Sequence, residues 1–440
     1  MKNTPINYEV VTRKIKESGI NDLGKATIRE IVALVNNITE ETGDKFVRME
    51  MGVPGIKPPE IATNAEIQAL KNGVARDYPM LDGIKEIKTE CSKFIKNFMD
   101  IDIKPEGCIP TTGAMQGGYA AFLVAGKCNE KKDTALFIDP GFPVQKQQFK
   151  VLNYKFDSFD VYNYRGAKLK DKLESFLKKG NINSIIYSNP NNPTWVCLNE
   201  EELKIIGELA NKYDVLIIED LAYFGMDFRR DISKPGVPPY QPTVAKYTDN
   251  YILLISSSKV FSYAGQRMAM LCISDKIFHR KYPDLKKQFN AEEFGYVIIL
   301  RVLYALSSGA SHSSQYALAA MFKACNEGRY NFVEGVREYA EKAKTMKKLF
   351  LENGFKIVYD KDIDQDIADG FYFTISYPGF SSGELIKELL YYGVSAISLI
   401  NCGSNKTEGL RACVSQTQKE QFPDLEYRLK RFHEDHAINI

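Results

Sequence analysis

Ile252-Leu253-Leu254-Ile255 runs directly into Ser256-Ser257-Ser258-Lys259-Val260-Phe261-Ser262-Tyr263-Ala264-Gly265-Gln266-Arg267. An uninterrupted apolar run of this length reads as a strand covered on both faces, and open α/β sheets keep their ligands at the carboxyl ends of such strands. Lys259 is thereby set at a sheet edge. An amine there becomes a nucleophile toward carbonyls when burial and neighbours lower its pKa. Ser256 and Arg267 flank it with a hydroxyl and a fixed positive charge, a pairing suited to phosphate. The plain alternative for this stretch alone is a solvated lysine after an edge strand.

The same pattern recurs upstream. Ala135-Leu136-Phe137-Ile138 precedes Asp139-Pro140-Gly141-Phe142, Ser184-Ile185-Ile186-Tyr187 precedes Ser188-Asn189-Pro190-Asn191-Asn192-Pro193, and Val215-Leu216-Ile217-Ile218 precedes Glu219-Asp220-Leu221-Ala222-Tyr223. Each run is short, apolar and closed by polar or turn residues. Between two of them, Asn199 and Glu202 form a capping-box pattern ahead of an apolar stripe at Leu203, Ile206, Leu209, Ala210 and Tyr213,. Strand, helix, strand in this order predicts right-handed crossovers and a mainly parallel sheet. Asn192, Asp220, Tyr223, Lys259 and Arg267 then gather along one edge. Earlier, Thr111-Thr112-Gly113-Ala114-Met115-Gln116-Gly117-Gly118 opens a predicted helix whose small residues let an anion approach the first N–H groups,.

The remainder frames these segments. Helices are expected over about 8–45, 62–71 and 84–98, with a Gly/Pro loop at Gly52-Val53-Pro54-Gly55 and a turn holding Tyr78,. The region 291–322 reads as apolar helix with a break at 307–314, followed by a charged helix over 333–351. Strands at 370–374 and 410–414 flank a helix at 382–391, the look of a smaller α+β domain. The expected division is an N-terminal arm or part of the small domain over 1–50, a large domain over 51–320 and a small C-terminal domain over 321–440.

A chain of 440 residues suits two domains with cores that need no staples,. Its 58 Lys plus Arg against 56 Asp plus Glu leave a formal charge of +2, which implies no attraction to nucleic acid or membrane,. The eight cysteines include no Cys-x-x-Cys pair and there are four scattered histidines, so no metal site is expected,. With no apolar leader and no spanning run, a cytoplasmic location is expected.

An aromatic aldehyde bearing a phosphate, tethered to Lys259, would use every edge residue. Asp220 could keep a ring nitrogen protonated, Tyr223 and Asn192 could donate to a ring hydroxyl oxygen, and Phe142 could lie on the ring face. Singly, each has a plainer role: Asp220 as a cap, Tyr223 and Phe142 as packing, Asn192 as a turn former.

Asn191-Asn192-Pro193-Thr194, Asp220-Leu221-Ala222-Tyr223, and Ser256-x-x-Lys259 with Arg267 eight residues on resemble the class I/II aminotransferases, pyridoxal-phosphate-dependent enzymes of fold type I. The likeness in order and spacing runs from Gly52 to Arg411. It implies an α/β fold with a large domain, its mainly parallel sheet covered on both faces, and a smaller α+β domain. It further implies an enzyme moving an amino group between an L-amino acid and a 2-oxo acid by a ping-pong route, and a homodimer with shared active sites. By resemblance Lys259 forms the Schiff base and shuttles a proton, Asp220 holds the pyridinium, and Tyr223 with Asn192 the ring oxygen. Gly113, Ala114, Met115, Ser256 and Arg267 bind the phosphate, which Tyr78 reaches from the partner subunit. Phe142 stacks on the ring. Arg411 grips the substrate α-carboxylate, with Gly52 as the backbone donor facing it and Asn192 beside them. Without the likeness, Arg411 reads as an exposed strand residue.

Two positions depart from the family pattern. Trp195 stands where Gly usually follows Asn-Pro-Thr, so a changed loop shape or a gap filled by the indole is expected. Met115 leaves only its backbone N–H for a phosphate. Arg301, with Tyr304 three residues on, resembles the place where dicarboxylate-specific members put a second arginine. The plainer reading is an arginine snorkelling from an apolar helix. Two alternatives to transamination share the cofactor residues: a lyase that eliminates from a sulfur amino acid, and a non-catalytic cofactor-sensing domain attached to a DNA-binding module. Near-neutral charge and the lack of room for a winged helix before Gly52 speak against the latter.

Overall fold

Strands whose every side chain is apolar need cover on both sides, and the runs of this sequence obtain it in one seven-stranded sheet. The computed structural model describes residues 4–437. The chain divides into two compact units. The larger takes Ile56–Asn191 and Cys197–Val336, and the smaller takes residues 4–55, Asn192–Val196 and 337–437.

In the larger unit the strands are β1 (Cys108–Thr112), β2 (Thr134–Asp139), β3 (Lys155–Asp160), β4 (Ile182–Ser188), β5 (Leu216–Leu221), β6 (Tyr251–Ser256) and β7 (Met268–Ile273). Their order across the sheet is β1-β7-β6-β5-β4-β2-β3. All neighbouring pairs are parallel except those made by β7, which runs antiparallel to β6 and β1. Alternate side chains feed two separate cores. Ile217, Leu221, Leu253, Ile255, Met270 and Cys272 enter one, together with Ile87, Cys91, Phe94 and Phe98 of helix α1 (Lys85–Met99). Ile218, Ile252, Leu254, Leu271 and Ile273 enter the other, together with Ala121, Phe122 and Val124 of helix α2 (Gly113–Ala125). The period of two along a strand produces this partition.

Helix α3 (Pro143–Val151) starts with proline in its first turn, where no N–H is required,. Helix α4 (Glu200–Tyr213) carries the expected capping box, with Asn199 accepting from Glu202 N–H and Glu202 returning the bond to the Asn199 backbone,. The 291–322 region is helical with the expected break, its first half including a π-helical turn at Ile298–Leu303 before the helix His312–Asn326.

The smaller unit has a four-stranded sheet in which Tyr372–Ser376 pairs antiparallel with Leu410–Cys413, which in turn pairs with Ile397–Ser398. Val47–Arg48 pairs in parallel with Val394–Ser395. Helices Ile28–Thr42 and Ser382–Tyr391 both begin with complete capping boxes, Thr27 with Glu30 and Ser381 with Glu384. Among the described residues no helix is long and apolar enough to cross a membrane, no disulfide forms, and all eight cysteines are buried.

Candidate active site

Register aligns the strand ends of the larger unit. Ser188 lies opposite Asp220, Leu221 opposite Ile255, Ser256 opposite Ala269, and Thr112 opposite Met268. The residues just beyond these ends are therefore brought to one edge: Phe142, Tyr223, Lys259, Arg267 and the start of α2. Asp220 itself is the fifth residue of β5.

The start of α2 and Arg267 come together. Gly113 adopts φ 69°, a left-handed conformation that glycine takes without strain,. A Cβ at Gly113 would come within 2.6 Å of Nη2 of Arg267, so the guanidinium lies against this glycine. Thr112 makes no side-chain cap at the start of α2,. The neighbouring carbonyl groups are tied down: Gln148 Nε2 donates to Met115 O at 2.8 Å and Thr111 Oγ1 to Gly113 O at 3.1 Å. Arg267 is exposed, also left-handed at φ 54°, and its Nη1 donates to Ala264 O at 2.9 Å. Ser256 is buried and its Oγ accepts from Ser258 N–H at 3.1 Å.

Asp220 is buried, and no salt bridge reaches it among the described residues. Its Oδ1 accepts from Ala222 N–H at 3.0 Å and its Oδ2 from Gln145 Nε2 at 2.9 Å. Burial raises its pKa to about 6, against the pull of those two bonds,. Its neighbour Glu219 points to the opposite face, where Thr243 Oγ1 and Val244 N–H donate to it, and burial raises it to about 7,. Tyr223 is buried three residues after Asp220, Phe142 is half-buried ahead of α3, and Lys259 is half-buried. Tyr78 stands 89% exposed on the turn after Val74–Arg76.

Sequence reasoning missed Gln145. It sits three residues after Phe142 within α3, so the helical period puts it on the same side, and that spacing was the available signal,.

The smaller unit assembles a second group. Arg411 is 1% exposed, not the exposed strand residue its position suggests. Its Nη1 donates to Asn192 Oδ1 at 3.2 Å and its Nη2 to Glu50 O at 2.7 Å. The guanidinium lies 4.6 Å over the ring of Tyr372, a cation–π contact,. The Tyr372 hydroxyl closes on Gly52, where a Cβ would meet it at 2.1 Å. Gly52, Asn192 and Arg411 are thus brought together, with Tyr372 the member that sequence reading lacked.

Trp195 keeps the glycine-like backbone, with φ 65°, and is fully buried. Its indole stands edge-on to Tyr372 with centroids 6.1 Å apart. Gly370 makes room for it, since a Cβ there would meet the indole at 2.1 Å. The indole fills a gap, as one of the two expectations had it. Arg301 donates to Phe289 O, Leu300 O and Tyr296 Oη, and stacks over Tyr296. Its nitrogens are engaged within its own helical region.

Residues 45–425 match the family described as "Aminotransferase class I and II". A probable aspartate aminotransferase of Methanocaldococcus jannaschii is 25% identical over 397 residues, covering 90% of this chain and 93% of that protein. An aspartate aminotransferase of Pyrococcus horikoshii is 27% identical over 306 residues, 69% of this chain and 73% of that one. Among solved structures, an alanine aminotransferase from Pyrococcus furiosus has a TM-score of 0.75 at 18% identity, covering 94% of this chain and 98% of that chain. An aspartate aminotransferase from Thermotoga maritima has a TM-score of 0.74 at 18% identity, covering 96% and 99%. The fold type I architecture and the family match across most of the chain agree, and the chain belongs to the class I and II aminotransferases.

Proposed function

We propose that this aminotransferase works through Lys259 with pyridoxal 5′-phosphate, exchanging the amino group of an L-amino acid with a 2-oxo acid. The observation that carries the reading is Asp220: a buried carboxylate, raised by desolvation, with neutral donors only and, among the described residues, no cationic side chain paired to it. Asp220 would hold a protonated ring nitrogen of the cofactor, the cationic partner that its carboxylate otherwise lacks. The meeting of Gly113 with Arg267, with the amides of Ala114 and Met115 and the hydroxyl of Ser256, suits the phosphate,. The residues present therefore fit the group.

When bound, that cofactor supplies a ring able to take up electrons from the substrate Cα. The chain's residues do the rest. Lys259 would hold the cofactor covalently and would then move a proton at Cα as a general base and acid. Asp220 would keep the proton on the ring nitrogen, Gln145 keeps Asp220 oriented, Tyr223 and Asn192 would donate to the ring oxygen, and Phe142 would cover the ring face,. Arg411 binds the α-carboxylate that every amino acid and 2-oxo acid shares, with Gly52 as backbone donor and Asn192 beside it. Tyr78 serves the phosphate of the partner subunit in a homodimer. Its exposure, with that of Met80, Ile67, Leu70 and Tyr304, supports an interface on the larger unit,. Eight buried cysteines without a disulfide support a cytoplasmic setting,.

The test follows the visible absorbance of the cofactor-loaded protein while each amino acid is added alone, then with a 2-oxo acid. Bleaching by a donor and recovery with an acceptor is the expected result and names the substrate class. Steady absorbance with release of pyruvate and ammonia would make the protein a lyase. No cofactor absorbance at all would remove the assignment of Lys259.

A further inference from the structure

Three buried thiols meet in the larger unit, away from the groups assigned above. Cys91 comes from α1, Cys108 from β1 and Cys272 from β7, and their Sγ atoms all lie within 4.8 Å of one another. All three are 0% exposed. Cys91 and Cys272 are 3.7 Å apart at sulfur, and Cys108 faces Cys272 directly in the β1–β7 register. No sequence spacing announces the cluster, because it forms only when a helix packs over the sheet's edge strand.

We propose that Cys91, Cys108 and Cys272 are a three-sulfur binding site for a soft, thiophilic metal ion. A metal–sulfur bond of about 2.3 Å, with three sulfurs around one ion, sets the sulfurs roughly 3.8–4.0 Å apart. Cys91 and Cys272 are already at that separation and the whole trio lies within 4.8 Å, so binding asks the sulfurs to draw together by less than about 1 Å,. The donor set is purely soft, and among the described residues no fourth histidine, cysteine or carboxylate joins the group. This excludes hard cations such as magnesium and calcium and selects monovalent copper or a divalent ion of the zinc and cadmium series. The three ligands sit on regular elements within one core, which preorganises them,.

A divalent ion takes the three sulfurs as thiolates and displaces three protons to solvent. Occupied, the site would staple α1 and the edge strand β1 to β7, the two strands whose other ends carry Gly113 and Arg267.

The experiment titrates the reduced, cofactor-loaded protein with cadmium ion alone. The expected result is an ultraviolet sulfur-to-metal charge-transfer band that saturates at one ion per chain, with release of three protons and a coordination sphere of three sulfurs by X-ray absorption. Cys272→Ala should abolish the band, while Cys128→Ala, in the core on the other face of the sheet, should keep it. Absence of saturable binding, a sphere of nitrogen and oxygen donors, or a band that survives Cys272→Ala would overturn the proposal. Should Cys272→Ala fail to fold by circular dichroism, the sulfur count on the unaltered protein decides.

Discussion

The side-chain amide of Gln145 donates to Oδ2 of Asp220 at 2.9 Å, and with Ala222 N–H on the other oxygen it fixes the plane of a buried carboxylate. A bond to a charged group contributes about 1.5–3 kcal/mol, and its loss leaves a buried acceptor unpaired. Gln145→Leu should therefore raise the Asp220 pKa further and weaken cofactor binding by roughly 10–100-fold, read by equilibrium dialysis. Unchanged affinity would show that Asp220 needs no such support.

Asp220 also predicts a pH dependence. Its pKa rises from 3.8 to about 6 on folding, so the folded state holds the proton more tightly than the unfolded one. The contribution to stability is present in full below about 3.8 and is lost as pH climbs through about 6,. A cation placed against the carboxylate removes that cost. Cofactor affinity should accordingly strengthen as pH rises through about 6, with the slope reduced in Asp220→Asn. Glu219 titrates in the same direction but faces the other side of the sheet, so Glu219→Gln should leave the slope in place. Identical slopes for the protein and Asp220→Asn would contradict this account.

The guanidinium of Arg411 rests on the Tyr372 ring, with Asn192 and the Glu50 carbonyl holding its edges. Arg411→Lys loses the planar fork and should raise KM for all amino acids by on the order of 100-fold. Tyr372→Leu removes only the face, a cation–π contribution of about 0.5–2 kcal/mol, and should raise KM roughly 2–30-fold with little change in kcat. Steady-state kinetics with two amino acids of different side chain checks both. Effects confined to one of the two substrates would remove Arg411 from the shared carboxylate.

Trp195 and Gly370 are a matched pair, large against absent. Gly370→Ala drives a methyl group into the indole and should cost about 1–3 kcal/mol or more of stability,. Trp195→Gly relieves the left-handed φ but empties a fully buried site, and loss of an aromatic of this size outweighs the backbone gain by roughly 2 kcal/mol,. Thermal unfolding should therefore show both variants destabilised. A more stable Trp195→Gly would mean that the strain dominates.

The parts of the fold visible in the sequence are those with a single strong signal. Strands β2, β4, β5 and β6 each contain a short apolar run closed by polar residues, and the cap of α4 is spelled by Asn199 and Glu202. The strands that escaped are mixed. β1 carries Pro110 between threonine and isoleucine, β3 reads Lys-Phe-Asp-Ser-Phe-Asp because it lies at the sheet's edge with one side wet, and β7 is rich in methionine and alanine. Lys259, Asp220 and Arg267 were readable because strand ends announce themselves. Gln145, Tyr372 and the cysteine trio were not, since each acts through partners distant in the chain, and burial of Arg411 depends on a sheet that local sequence does not describe.

The claim on which the rest depends is that Lys259 holds the cofactor. Borohydride reduction of the loaded protein, followed by peptide mass mapping, fixes that attachment chemically. The account predicts one pyridoxyl group per chain on the peptide containing Lys259, and none in Lys259→Ala. A label on another lysine, or full turnover by Lys259→Ala, would contradict it.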